Sequence, residues 1–218
     1  MCYIKKIILF ILFTFAFSTS FSYETTTSKN ISLSPQELNS NDSAIEKTVE
    51  NFFDPEIKTG KNYFKTYIQL DYDTLSQTVK DAADSLIDVA DNYGFYLLKN
   101  TKHEISSINY TSSSTAIVEI IVTSPDIKDY LNKNKTTIST SMLKKIEART
   151  GKSITQVAKE RATNKEYTQI IDISSSEAML ELYTEGVKNF KNTTTQTKKF
   201  NVEKINGNWV IKADIYSM

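Results

Sequence analysis

Apolar side chains recur at helical spacing through about the first hundred residues of the chain. A helix is predicted to begin at Pro35 with Ser34 as its N-cap. A serine oxygen accepts a hydrogen bond from the free amides of a first helical turn, and proline suits the first helical position. The apolar positions of this helix repeat every three to four residues, as one helix face requires; they are Ile45, Val49, Phe52 and Phe53.

Two further stripes follow. The first consists of Tyr63, Phe64, Tyr67 and Ile68. It leads to Asp71, which is predicted to cap a longer helix that ends at Gly94. The stripe of that longer helix is the most regular in the chain and comprises Leu75, Val79, Ala82, Leu86, Ala90 and Tyr93.

The period then shortens to two, which indicates strands. Residues 103–110 are predicted to form one strand and residues 116–123 a second, joined by the loop TSSST. One face of the second strand is apolar through Ala116, Val118, Ile120 and Val122. Ser124, Pro125 and Asp126 are predicted to cap a new helix after it.

Residues 126–190 are predicted to be a helical insertion. Two of its stripes are Met142, Leu143 and Ile146, then Ile154, Val157, Ala158 and Arg161. Residues 167–173 fit a helix or a strand equally well. Ser175 or Ser176 is predicted to cap a last helix whose apolar face is Met179, Leu180, Tyr183, Val187 and Phe190.

The pair Asn206-Gly207 predicts a β-hairpin, because a two-residue type I′ turn needs positive φ at both central positions. That loop fixes the register of the strands. The predicted pairs are Ile205 with Asn208, Lys204 with Trp209, Val202 with Ile211, and Phe200 with Ala213. The last three pairs share one face, which is predicted to be buried. Trp209, the single tryptophan, then closes the core and can also wall a cleft.

The element order favours a single α+β domain over residues 35–218. N-terminal helices are expected to pack on a curved antiparallel sheet, with the helical insertion before the C-terminal hairpin. Residues 1–22 are predicted to be a cleaved signal peptide, because Lys5 and Lys6 precede a short apolar run and small residues. The polar residues 23–34 are predicted to be a disordered leader.

Composition narrows the chemistry. The only cysteine, Cys2, is lost on cleavage, which excludes disulfides, thiolate catalysis and cysteine-bound metals from the exported chain. Loss of Lys5 and Lys6 reduces the 26 basic residues to 24 against 26 acidic ones, so a nucleic-acid partner is not expected. Once the signal peptide is cleaved, no membrane span is expected either.

The final hairpin has the form F-x-V-x-K-x-N-G-x-W-x-I, carried by Phe200, Val202, Lys204, Asn206, Gly207, Trp209 and Ile211. With the strand AIVEIIVTSP over residues 116–125 and the N-terminal helices, it resembles the nuclear transport factor two-like, cone-shaped α+β superfamily. The exported bacterial branch, with its uncharacterised lipoprotein domains, is the most similar. The resemblance covers about residues 40–125 and 195–216. The chain departs from it in lacking a lipid-attachment cysteine and in its long helical insertion.

The resemblance implies one enzymatic alternative. Some cone-shaped members are isomerases or dehydratases that use a buried carboxyl group and a tyrosine hydroxyl. Tyr63, Tyr67, Asp71 and Asp126 supply those residue types here.

No other pattern in the chain indicates catalysis. His103 is interpreted as a solvated edge residue, and Asp71-Tyr72-Asp73 lacks the glycine and closing glutamate of a calcium loop. No catalytic residue, metal ligand or cofactor is therefore assigned.

The preferred hypothesis is an exported, non-enzymatic bacterial protein, periplasmic or secreted, that binds a small apolar ligand or a protein partner. The ligand pocket is predicted to be lined by Tyr63, Tyr67, Val122 and Trp209. A pure interaction module acting through the helical insertion is the remaining alternative, and a homodimer formed through an open sheet face is compatible with either hypothesis.

Overall fold

The computed structural model describes residues 23–58 and 72–212. In chain order the elements are β1 (Glu24–Thr27), α1 (Pro35–Phe53), α2 (Pro55–Lys58), a 3₁₀ turn (Tyr72–Thr74), α3 (Gln77–Lys99), β2 (Lys102–Ser112), β3 (Thr115–Asp126), α4 (Lys128–Thr150), α5 (Ile154–Glu160), α6 (Lys165–Lys188), β4 (Asn192–Ile205) and β5 (Asn208–Ile211). The predicted α+β class is confirmed, with helices before the sheet, a helical insertion inside it and a terminal hairpin.

The five strands form one open sheet in the order β1-β2-β3-β4-β5. The sheet is mixed, not purely antiparallel as predicted, because β1 runs parallel to β2 with Glu24 opposite Ser107. The prediction of a disordered leader over residues 23–34 is thus wrong for residues 24–27. Their threonine-rich sequence has no apolar alternation, so the tertiary contacts described below decide its conformation.

The terminal hairpin has the predicted register. Lys204 lies opposite Trp209, and Val202 lies opposite Ile211. Asn206 and Gly207 both have positive φ, as the type I′ turn demands. Ala213 lies outside the described residues, so its predicted pairing with Phe200 is not tested.

One face of the sheet packs on α1 and α3 to form the main core. All four predicted apolar residues of α1 are buried in it, as are the four apolar residues of β3 and Trp209. Ser34 caps α1 in a capping box with Glu37, so the predicted start of this helix is confirmed. The hairpin therefore closes the core, and Trp209 is one of the residues that fill it.

The helical insertion adds two outer layers. α6 packs against α3, and α4 packs against α6 in the opposite direction. Ile146 is the only buried side chain of α4, which makes the outermost layer poor in apolar contacts. Among the described helices, none combines the length and the apolar character needed to cross a bilayer.

Three predicted helices have wrong boundaries, because tertiary packing overrides local signals. α3 is capped by Ser76, so the predicted cap at Asp71 is wrong, although Asp71 itself lies outside the described residues. The helix continues through Gly94 to Lys99, since the core outweighs the helix cost of one glycine. α6 starts after Asn164, so Ser175 and Ser176 lie inside it and residues 167–173 are helical.

The third boundary lies at Pro125, which belongs to β3 and not to a helix cap. The last β2–β3 pair is Lys102 with Thr123, so at Pro125 the strand has a neighbour on one side only. Sheets accept proline at such edge positions. Ile127 is the N-cap residue of α4 and makes no side-chain cap, while Asp126 Oδ1 accepts a hydrogen bond from the amide of Lys128 at 3.1 Å.

A buried polar pair on α1, Asn41 and Asp42, ties four strands to the core. Asp42 accepts hydrogen bonds from the Tyr110 hydroxyl at 2.7 Å and from Thr25 Oγ1 at 2.8 Å. The neighbouring Asn41 Oδ1 accepts from Trp209 Nε1 at 3.3 Å and from Lys204 Nζ at 3.2 Å. Because buried polar groups are costly unless bonded, these contacts specify where β1 and β5 dock on α1.

We expect Trp209→Ala to lower the free energy of unfolding by roughly 3–5 kcal/mol, since it empties a buried aromatic site. The indole is 5% exposed and packs edge-on against Tyr110. Urea unfolding followed by circular dichroism measures the loss without needing the deleted fluorophore. Val210→Ala, on the opposite face and 40% exposed, is the matched control and should change stability by about 0.5 kcal/mol or less. A loss below about 1 kcal/mol for the tryptophan variant would contradict its role in the core.

A second polar cluster joins the three helical layers. Glu177 on α6 is 2% exposed; its Oε1 accepts hydrogen bonds from Ser85 Oγ at 2.8 Å and Lys145 Nζ at 2.9 Å. Its Oε2 accepts from Arg149 Nη2 at 2.6 Å. Burial raises the pKa of Glu177, but the bonds from Lys145, Arg149 and Ser85 outweigh it and hold the pKa below its ordinary 4.5.

This cluster predicts a pH-dependent stability. The lowered pKa means that the contribution of Glu177 is present above its unfolded-state pKa and is lost as pH falls through the folded-state pKa. At pH 7 we expect Glu177→Gln to cost about 3 kcal/mol, because two cations lose a buried partner. Urea titrations from neutral to acidic pH should show that the difference in free energy of unfolding between wild type and variant decreases as pH falls.

Glu160→Gln is the control for that experiment. Its ion pair with Lys152 is solvent-exposed, so we expect a change of at most about 1 kcal/mol. The assigned role of the carboxylate would be refuted if the difference in free energy of unfolding between wild type and Glu177→Gln stayed constant down to the most acidic pH.

Candidate ligand-binding cleft

Two of the four predicted pocket residues are described, and both belong to the main core. Val122 is 4% exposed and Trp209 is 5% exposed. Neither lines the cavities described below. Tyr63 and Tyr67 lie outside the described residues, so the predicted pocket as a whole stays a prediction.

His103 is not a solvated edge residue as expected. Its ring stacks on Phe53 with centroids 4.4 Å apart and an interplanar angle of 10°. Burial lowers the pKa of His103 below its ordinary 6.5, while the charge of Glu50 acts in the opposite direction. Among the residues that the structure describes, no group of histidine and acidic side chains has the arrangement of a metal site.

A carboxyl–tyrosine pair does exist, but between residues that the sequence analysis did not name. Tyr110 is fully buried and donates to Asp42, whose other oxygen is taken by Thr25. Burial, together with the hydrogen bond to Asp42, raises the pKa of the Tyr110 hydroxyl. Each carboxylate oxygen of Asp42 accepts a bond from an internal donor, so this pair ties β1 and β2 to α1.

The described cavity that best suits a small ligand lies where the helical insertion joins the sheet. β3 ends and α4 begins on one side, while α6 ends and β4 begins on the other. The pairing of Asp126 with Asn192 holds these two crossings together. The cavity has a volume of about 500 Å³, within the usual range for small-molecule sites. Its lining residues are Asp126, Asp129, Tyr130, Lys133, Asn189, Phe190, Lys191 and Asn192; we call it the junction cleft.

Each crossing contributes an aromatic ring and charged groups to the junction cleft. Tyr130 comes from the first turn of α4, and Phe190 comes from the turn between α6 and β4; both are half-buried. Asp129, Lys133 and Lys191 are exposed and form no ion pair within the described part of the chain. The side-chain amide of Asn189 bonds back to the Glu185 carbonyl at 2.8 Å and closes the end of α6.

Gly186 sets the position of Tyr130. A Cβ atom at Gly186 would lie 3.2 Å from Tyr130 Cδ1 and 3.2 Å from Ile127 Cβ. The missing side chain therefore allows the start of α4 to lie directly against α6. Tyr130 also lines a second cavity of about 160 Å³ that follows the groove between the two helices, so its ring stands between two open spaces.

The junction cleft was not predicted from the sequence, because the residues that line it come from chain segments about 60 residues apart and no local motif joins them. Asp126 was predicted only as a helix-cap residue and as a carboxyl group for the enzymatic alternative, and Phe190 only as an apolar position of the last helix. The close contact at Gly186 could not be predicted either, because a single glycine inside a helical pattern does not by itself indicate what packs against it.

No known protein family, characterised protein or solved structure matches this chain. The resemblance to the cone-shaped superfamily therefore stays a prediction, and the function proposed below depends on the geometry of the junction cleft.

We expect Gly186→Ala to reshape the cleft with little net effect on stability. Alanine adds about 1 kcal/mol of helix propensity, which offsets the crowding of Tyr130 and Ile127. Backbone amide chemical shifts of residues 127–131 should move, while the free energy of unfolding changes by less than about 1 kcal/mol. The control is Asp172→Ala, an exposed α6 position that should leave those amides unchanged. Unmoved Tyr130 signals in the glycine variant would contradict the packing.

Proposed function

We propose that the protein is a non-enzymatic binding protein whose small ligand occupies the junction cleft. The observation that supports the proposal most directly is the cavity of about 500 Å³, with two half-buried rings and with three charged side chains, Asp129, Lys133 and Lys191, that form no ion pair inside the described chain. Aromatic walls with a few oriented polar groups are typical of small-molecule sites.

Binding is favoured over catalysis by the residue types at hand. No histidine, cysteine or serine lines the described cleft, so it lacks the usual pairing of a nucleophile with a general base. The charged groups sit on its exposed rim, where they suit recognition better than proton transfer. Because the lining is mixed, the proposed ligand is amphipathic and not the purely apolar compound expected from the sequence.

Export is the second part of the proposal and is supported by the sequence of residues 1–22 alone. The basic pair Lys5 and Lys6, the apolar run and the small residues before Tyr23 have the pattern of a signal peptide. Those residues lie outside the described part of the structure. The proposed location is the periplasm or the medium.

A native mass spectrum of the protein isolated from its own exported fraction tests both parts. We expect a chain that begins near Tyr23 and a discrete extra mass that disappears on denaturation. Tyr130→Ala with Phe190→Ala should lose that mass, because the ligand loses both rings. Tyr167→Ala, a half-buried tyrosine at the far end of α6, is the matched control and should keep it.

Two outcomes would overturn the binding proposal. An extra mass kept by the double variant would place the ligand elsewhere. If no extra mass is retained, a small-fragment library is titrated into the labelled protein and the amide shifts of the cleft residues are recorded. Unperturbed shifts would reject the cleft as a binding site. The helical insertion as a protein-binding surface would then become the better model.

A further inference from the structure

We infer that the junction cleft takes a dipolar small molecule, one that carries an anionic and a cationic group on a short apolar body. This inference rests on the proposed function and names its ligand class. It is carried by the composition of the lining, by the absence of internal pairing among its charges in the described chain, and by the placement of the two rings.

The charges of the lining balance. Asp126, Asp129, Lys133 and Lys191 line one cavity, so the formal charges of its lining sum to zero. A site built for an anion carries surplus lysine, and a site built for a cation carries surplus acid. Equal numbers favour a ligand that is neutral overall.

These charges do not neutralise one another. Asp129 and Lys133 stand four residues apart on α4, a spacing at which opposite charges commonly pair on a helix. No ion pair joins them within the described chain, although the exposed residues Glu185 and Lys188 form one in the last turn of α6. One carboxylate oxygen of Asp126 accepts a hydrogen bond from the amide of Lys128.

Asp129, Lys133 and Lys191 lie on the exposed rim, so a bound ligand displaces only part of their water. An uncharged ligand offers these groups no partner, and a singly charged ligand pairs with groups of one sign only. A dipolar ligand supplies partners of both signs. The lining therefore favours the dipolar class over the uncharged and singly charged classes.

The apolar body is assigned to the space between the rings. Tyr130 projects from α4 and Phe190 from the turn before β4, so the walls come from both crossings. Gly186 allows Tyr130 to lie close to α6, and the cavity of about 500 Å³ has room for a body at least the size of one amino-acid side chain. Asn192, alongside Asp126 across the strand pair, adds an amide to the polar rim.

The test compares three probes that share one body: phenylalanine with both charges, 2-phenylethylamine with the cation alone, and 3-phenylpropionate with the anion alone. Each is titrated into the isotope-labelled, purified chain, and amide shifts at Tyr130, Phe190 and Lys191 are recorded. We expect phenylalanine to bind at least about tenfold more tightly than either singly charged probe. Leucine, isoamylamine and 4-methylpentanoate repeat the comparison with an aliphatic body.

Three variants assign the charges. Asp129→Asn should abolish the advantage of phenylalanine over 3-phenylpropionate, and Lys191→Gln should abolish its advantage over 2-phenylethylamine. Lys135→Gln, on the exposed side of α4 and outside the cleft, is the control and should preserve both.

The outcomes separate the inference from the proposed function. Saturable binding at the cleft by a singly charged probe, as tight as that of phenylalanine or leucine, overturns the dipolar class and leaves a binding cleft. The absence of saturable cleft shifts with all six probes at millimolar concentration overturns the dipolar class, and the native mass spectrum and fragment library then decide the proposed function. A tenfold preference that survives Asp129→Asn and Lys191→Gln also rejects the inference, because the preference then has another source.

Discussion

The placement of the outer helices depends on the hydrogen bonds and ion pairs that the buried carboxylate of Glu177 accepts. Three donors from α3 and α4 converge on it, and Ser174 of α6 accepts a further bond from Arg149 at 2.8 Å. Since α4 buries a single apolar side chain, apolar packing alone would leave its position along α6 weakly determined. The directional ionic contacts determine that position. They thereby place the start of α4 against Gly186, and the junction cleft follows from that placement.

Local chemistry allowed the hairpin and the first helix to be predicted from the sequence. Asn206-Gly207 admits few turn geometries, and Ser34 with Pro35 forms a start signal that needs no tertiary help. The errors arise where a distant contact outweighs the local signal. β1 is ordered by Thr25 bonding to Asp42, a residue in another element, and no pattern in residues 24–27 reports that partner.

The site was less predictable than the fold for the same physical reason. An apolar pattern identifies which residues are buried, and it correctly marked Val122 and Trp209 as such. It does not distinguish a side chain that fills the core from one that borders a cavity, because both are shielded from water. The junction cleft arises from the meeting of two chain crossings, so its lining becomes visible only once the pairing of β3 with β4 is known.

The insertion also bears on how the sheet assembles. It separates β3 from β4 by 65 residues between Asp126 and Asn192, and closing a flexible loop of that length costs conformational entropy. An antiparallel helical hairpin returns the chain to its starting point, so its formation shortens the effective loop to a few residues. Helices form within microseconds, whereas distant strands pair slowly. The insertion thus turns the pairing of β3 with β4, in kinetic terms, into a nearly local event.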